Sequence, residues 1–258
     1  MRFQMWSAFH IIFMLSPFIF AIIMYLFTKN LKAETNRKIG IILSIICIVL
    51  LLLRNIEIFI KSGYRIQPEI FPFQICHFAN FILLFAFLFK NKTMYTIAFC
   101  FNLPFAFLSI LFANSLENYQ TIINFRGMAY IFGHLLIVGV GLWAYFVDLV
   151  QINLKSLSKG MVFLSVLFVL SVPLNNLFNH LMSGFSSNYF YSMKPEGGTP
   201  LELAYGWGNI IEALGMKFNP IYLLVTLLFG LAIFFFFGFL GYFFKHVRFQ
   251  KTNIYKTA

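Results

Sequence analysis

The stretch Pro68-Glu69-Ile70-Phe71-Pro72-Phe73-Gln74-Ile75-Cys76-His77-Phe78-Ala79-Asn80 gathers a thiol, an imidazole and two amides just ahead of an unbroken apolar run, Phe81 to Phe89. A membrane helix starting near Pro72 would put Phe73, Cys76, His77 and Asn80 on one face by i, i+3, i+4 and i+7 spacing. Proline suits a first turn, where its missing N–H would have been unpaired anyway. Cys76 would then lie where the helix dipole favours thiolate, which makes it a candidate nucleophile. The other role open to a cysteine is that of a small buried hydrophobe, which fits Cys47 and Cys100 in their apolar runs.

A nucleophile also needs a proton acceptor. His134, in Tyr130-Ile131-Phe132-Gly133-His134-Leu135-Leu136, is an isolated imidazole in an apolar helix. It either hydrogen-bonds across helices or serves as the base; a Cys/His pair from two helices would satisfy covalent catalysis. His77 points about 100° away from Cys76 and is the second candidate base. Glu57 and Arg54 are one turn apart, so a mutual salt bridge is expected, with orientation of an imidazole as the other role for Glu57. Asn175 and Asn176 follow Pro173 and either donate to a developing oxyanion or join helices. His10 is expected to be structural. His10, His77, His134 and Glu57 contain no i, i+4 pair, so neither a metal site nor a cofactor is expected.

Composition fixes the kind of element that must hold these groups. The 258 residues are 60% hydrophobic and only 10% charged, more apolar surface than a soluble domain can hide. The net charge of +11 sits in short loops and tails, where lipid headgroups are nearer partners than nucleic acid. Three cysteines without C-x-x-C spacing make neither a disulfide framework nor a zinc site. The abundance of Phe (37) over Trp (3), with many Ile, Asn and Lys, points to an AT-rich bacterial genome.

Seven spans are predicted at roughly 5–28, 39–61, 71–89, 94–115, 123–149, 159–184 and 218–244, each near the ~20 residues that cross the bilayer core. The first is too long for a signal-peptide core and lacks a small-residue cleavage site, so it is expected to remain. The fold class is therefore all-α and polytopic, a single membrane domain without internal repeat. One connection is long, roughly 185–217, and is expected to carry an interfacial helix. In it Thr199-Pro200-Leu201-Glu202 reads as N-cap, first-turn proline and capping-box glutamate. Leu203, Trp207, Ile210, Ile211 and Leu214 would form the apolar stripe.

Twelve lysines and arginines fall on the side of the 1–2, 3–4 and 5–6 loops and the C-terminal tail, and six on the other. The positive-inside rule then predicts the N-terminus outside and the C-terminus in the cytoplasm. On that reading Glu57, Cys76, Arg126, His134, Asn175 and Asn176 all fall in the outer half of the bilayer, with the long loop above them. Intramembrane polar groups are costly and mark function by default.

The order of these residues resembles a known family. His10, Glu57, Phe71-Pro72-Phe73-Gln74-Ile75-Cys76, Phe125-Arg126…His134, an asparagine in the sixth span and Asn188-Tyr189…Lys194-Pro195 together look like the bacterial YwaF-type membrane proteins and the related vertebrate ether-phospholipid acyltransferase. Gln74 departs from the histidine usual two residues before the cysteine, and Trp207-Gly208 from the expected Trp-Pro. The resemblance implies a seven-helix acyltransferase in which Cys76 carries the acyl group and His134 activates it. The donor would be a phospholipid, and the acceptor a lysophospholipid or a lipoprotein N-terminus at the outer leaflet of the cell membrane. Arg126 or Arg65, with Asn188 and Tyr189 in the loop, would hold the headgroup. A lipid ester hydrolase with the same dyad and a non-enzymatic transporter or lipid binder are the other readings.

Overall fold

Hydrocarbon offers no water to a peptide group, so a chain this apolar must close its backbone hydrogen bonds within helices. The computed structural model describes residues 2–118, 121–182 and 184–257 and has seven helices long and apolar enough to cross a membrane. In chain order these are α1 (Ala8–Thr28), α2 (Ala33–Lys61) and α3 (Ile75–Phe89). The fourth span is composite: α4 (Lys92–Ile97), a π-helical segment (Ala98–Asn102) and α5 (Leu103–Leu111). Then come α6 (Phe125–Phe146), α7 (Leu154–Leu181), the short α8 (Leu201–Gly206) outside the spans, and α9 (Pro220–Thr257). The protein is an all-α, multi-pass membrane protein. Outward rows such as Ile12, Leu52 and Phe236 are exposed, as lipid-facing side chains should be.

The spans lie where hydropathy predicts them, with shifted ends. α2 starts earlier than expected, since Glu34 in its first turn pairs with Arg37 and also meets Lys90, 3.2 Å away beyond α3. α7 starts at Leu154 because Asn153 and Ser156 form a reciprocal capping box.

α3 starts later, at Ile75 with Gln74 as N-cap, and not near Pro72. The residues before it form a 3₁₀ turn, Pro68–Ile70, followed by extended backbone at Phe71. Pro72 disfavours helix at Phe71. Neighbours also take the carbonyls of the turn: Tyr189 Oη donates to Pro68 O at 2.8 Å, Asn55 Nδ2 to Ile70 O at 2.8 Å and Arg54 to Glu69 O at 3.3 Å. Phe73 is thus outside the helix, while Cys76 remains in its first turn.

α6 is the central helix, packed against α1, α2 and α5. Its approach to α1 depends on Gly139, where an added β-carbon would meet Pro17 O at 3.1 Å and the Phe20 ring closer still. Three bonds tie helices together through polar groups: His10 Nε2–H donates to Ile110 O at 2.8 Å, Trp143 Nε1 to Thr28 Oγ1 at 2.8 Å, and Thr96 Oγ1 to Ser156 Oγ at 2.9 Å. Trp6 N donates to His10 Nδ1 at 3.0 Å, so both nitrogens of that imidazole are engaged and its role is structural.

The long connection between α7 and α9 differs from the expected amphipathic helix. α8 ends at Gly206, and the chain then forms an antiparallel hairpin, β1 (Ile211–Ala213) and β2 (Met216–Phe218). Leu214 and Gly215 both have positive φ, as a two-residue hairpin turn that matches strand twist requires. Thr199 does not cap α8; its hydroxyl donates to Glu196 O at 2.7 Å, and Pro200 takes the N-cap position. Glycines at 206, 208 and 215 are poor helix residues, and here they override the apolar periodicity.

Candidate functional site

Cys76 is the second residue of α3, and His134 lies between two and three turns into α6, which packs against it. Cys76 Sγ and His134 Nε2 are 3.0 Å apart. His134 Nδ1 lies 2.7 Å from the backbone carbonyl of Tyr130. A carbonyl can only accept, so Nδ1 carries the proton and Nε2 turns its lone pair to the thiol. The Cys76 S–H therefore donates to Nε2. The Tyr130 ring lies against the imidazole, with centroids 4.1 Å apart, and its hydroxyl donates to Ser109 O at 2.6 Å. Ser109 Oγ is 3.8 Å from Sγ, so α3, α5 and α6 all contribute groups at the thiol.

The dyad opens into a cavity of about 610 Å³, a usual size for a small-molecule site. Its lining includes Ser186, Ser187 and Glu196 from the long loop, the charged Arg54, Glu69 and Arg126, and the apolar Cys47, Leu51, Phe105 and Ile137. His77 and Asn80 line it as well; among the described residues, His77 Nδ1 and Asn80 Oδ1 are buried with no hydrogen-bond partner. Gly133, beside His134, also lines it.

The ionic arrangement differs from the expected Arg54–Glu57 bridge. Arg54 pairs with Glu69, and Arg126 Nη2 binds the same carboxylate at 2.9 and 3.1 Å. Glu57 pairs with Lys61 and accepts from the Arg126 backbone N–H at 2.6 Å. That N–H is one of the free donors at the start of α6, where the helix dipole also favours a carboxylate. Glu57 thus anchors the helix that carries His134 and makes no contact with the imidazole. Lys61, one turn on, and Glu69, from the turn before α3, each reach a partner more directly than Arg54 and Glu57 reach one another.

The family follows from a comparison across the chain: a family model matches residues 4–238. The chain belongs to the TMEM164 family. The match takes in every residue lining the cavity, from Cys47 to Glu196. No curated protein and no solved structure matches the chain.

Four residues expected at the site of this TMEM164-family chain shape its loop instead. Asn175 is fully buried; its Nδ2 donates to Tyr189 O at 3.0 Å and to Ser192 Oγ at 2.9 Å, and its Oδ1 accepts from Tyr189 N at 2.7 Å. Asn176 exchanges two bonds with the Lys217 backbone, 3.2 and 2.9 Å, as a strand partner would. Asn188 closes a turn onto Met193 N and Lys194 O at 3.0 and 2.8 Å. Tyr189 is buried behind the cavity wall against Phe73 and Phe178, so it has no surface to offer a headgroup. Arg65 is exposed and does not line the cavity.

This loop framework brings in residues that the sequence reading missed. Phe190 and Tyr191 both have left-handed backbone, φ 55° and 53°. Bulky residues hold that conformation only when surroundings enforce it. Asn175 grips the preceding residue, and Tyr222 Oη donates to Tyr191 O at 2.6 Å. Tyr191 is thereby turned into the cavity wall. Burial pushes its phenol well above the ordinary range, so it stays a neutral donor. Ser109, Tyr130, Glu69 and Glu196 were also missed. Only Tyr130 carried a local signal, one turn before His134.

Proposed function

We propose that the protein is a membrane acyltransferase that moves a fatty acyl chain from a phospholipid, through a Cys76 thioester, to an amine or hydroxyl acceptor. The 3.0 Å contact between Cys76 Sγ and His134 Nε2, with the tautomer held by Tyr130 O, carries this reading. His134 Nε2 takes the thiol proton, and the sulfur attacks the ester carbonyl of the donor. The C–O bond breaks, the lysolipid oxygen leaves with the proton from Nε2–H, and the acyl group stays on sulfur. An acceptor amine or hydroxyl then gives its proton to Nε2, attacks the thioester and releases the thiol. Ser109 Oγ and the neutral Tyr191 hydroxyl are the nearby donors suited to the developing oxyanion.

Arg126 is the group suited to a headgroup phosphate, exchanging Glu69 for the ligand. The lysine and arginine bias favours the outer leaflet of the cell membrane as the working face, with a lysophospholipid or lipoprotein N-terminus as acceptor.

The test is intact-mass spectrometry of purified protein incubated with phospholipid, wild type against Cys76→Ala. A hydroxylamine-labile fatty-acyl adduct on the wild type alone is expected. Absence of the adduct, with lipid turnover unaltered in Cys76→Ala, would overturn the assignment. Turnover that needs Cys76 and yields only free fatty acid would make the enzyme a hydrolase.

A further inference from the structure

A second, apolar pocket lies beside the reaction cavity, between α5 and the π-helical segment, α7, and α9. It shares Ile75, Phe105 and Tyr191 with the cavity that holds Cys76, so the two hollows have a common wall next to the nucleophile. Away from that wall the pocket is lined by Phe101, Phe168, Phe229 and Gly230, with almost no polar surface.

Three features of the chain make this pocket. The π-helical turn Ala98–Asn102 shifts the phase of the fourth span, and such turns recur at functional sites. Phe101 and Phe105 lie just within and just after it, with ring centroids 4.5 Å apart. The left-handed backbone at Tyr191 turns its side chain into the shared wall. α9, on the far side, is the least buried of the seven spans, at 17% against 67% for the fourth. Its Phe229 lines the pocket and is also exposed on the lipid side.

We propose that this pocket takes the ester-proximal methylenes of the substrate's acyl chain, whose remainder stays in the bilayer between α5 and α9, so that the chain passes Ile75, Phe105 and Tyr191 and presents its ester at Cys76. The proposal rests on the acyl-transfer reading and adds where the chain lies. At about 80 Å³ the pocket has room for only a few methylenes of a lipid tail, and a tail suits it because the pocket is apolar, includes Phe229, which is also exposed, and meets the thiol's cavity at the other end. Gly230 is the position that controls it. A β-carbon there would meet only the Phe101 ring, at 3.9 Å, so a large side chain grows into the hollow without backbone strain.

The experiment uses the full chain in vesicles containing a phosphatidylcholine with a diazirine in its acyl chain. Labelling is read by peptide mapping in Cys76→Ala, which needs no chemistry at the thiol. Label is expected on Phe101, Phe105 and Phe168, unchanged by Gly230→Ala and reduced about tenfold by Gly230→Trp, while label on outward-facing α1 stays constant. Equal labelling of those three residues in Gly230→Ala and Gly230→Trp, or label confined to outward-facing residues, would overturn the proposal. A labelled pocket in a protein whose Cys76 never forms a thioester would sink the transfer reading and leave the chain site. A thioester formed at equal rates with and without Gly230→Trp would do the reverse.

Discussion

The backbone carbonyl of Tyr130 accepts a hydrogen bond from His134 Nδ1 at 2.7 Å, one turn back along α6. The bond lies within one helix, so the group that fixes the imidazole tautomer comes from α6 itself. What α3 adds is a thiol at the nitrogen left free.

Loss of that nitrogen should stop the proton transfer. His134→Ala is expected to slow acylation of Cys76 by roughly a hundred- to ten-thousandfold, and His77→Ala to change it far less. Tyr130→Phe keeps the carbonyl and the ring and removes the bond to Ser109 O, so it should retain most of the rate. Time courses of the intact-mass adduct separate the three variants.

Glu69 serves two guanidinium groups, and one of them, Arg54, has a side chain only 11% exposed. Glu69→Ala would leave that charge without its carboxylate and should lower stability by about 2–4 kcal/mol, toward the lower end of what breaking a buried pair costs. Arg126 is much more exposed, so Arg126→Ala should shift the melting temperature little. Thermal unfolding in detergent is the measurement, and equal shifts for the two variants would contradict the arrangement.

Gly133 lines the cavity beside His134, and a β-carbon there meets nothing within 4 Å. Gly133→Leu should therefore fold and melt like the wild type while excluding the lipid ester. Cys76 should remain modifiable by a small alkylating reagent and lose acylation by phospholipid. Wild-type acylation in this variant would mean that the cavity is not the substrate's place.

Asn175 makes three bonds to the loop from inside α7. Asn175→Ala should cost about 1–3 kcal/mol, since it leaves the buried Tyr189 N–H unpaired while Tyr189 O keeps its bonds from Ser192. Release of the loop should appear as new cleavage between residues 185 and 217 in limited proteolysis, where Asn175→Asp keeps one acceptor and should be cut more slowly.

Composition and hydropathy alone set the solvent this chain folds in and the approximate positions of its seven spans, because the penalty on unpaired backbone in hydrocarbon acts on each segment separately. The sequence also marked Cys76, by its helix-start position among polar neighbours, and His134, an imidazole isolated in an apolar run. That their side chains meet at 3.0 Å was decided by how α3 and α6 cross, which no single segment encodes. Tertiary structure equally decided the partner of each charge. Arg54 and Glu57 have ideal spacing on α2, yet Arg54 turns to Glu69 and Glu57 to Lys61 and the start of α6. Asn175 and Asn176 could be read as oxyanion donors or as helix-joining groups, and Asn188 and Tyr189 as headgroup ligands, because a polar side chain looks the same in sequence whether it faces a cavity or a loop backbone. Local periodicity misread residues 207–214 for a similar reason: an apolar stripe fits a helix only if the backbone is free to form one, and here the glycines and the bonds from Asn176 to Lys217 hold a hairpin. The left-handed backbone at Phe190 and Tyr191 has no sequence signal at all, since it exists only where surrounding contacts outweigh its strain.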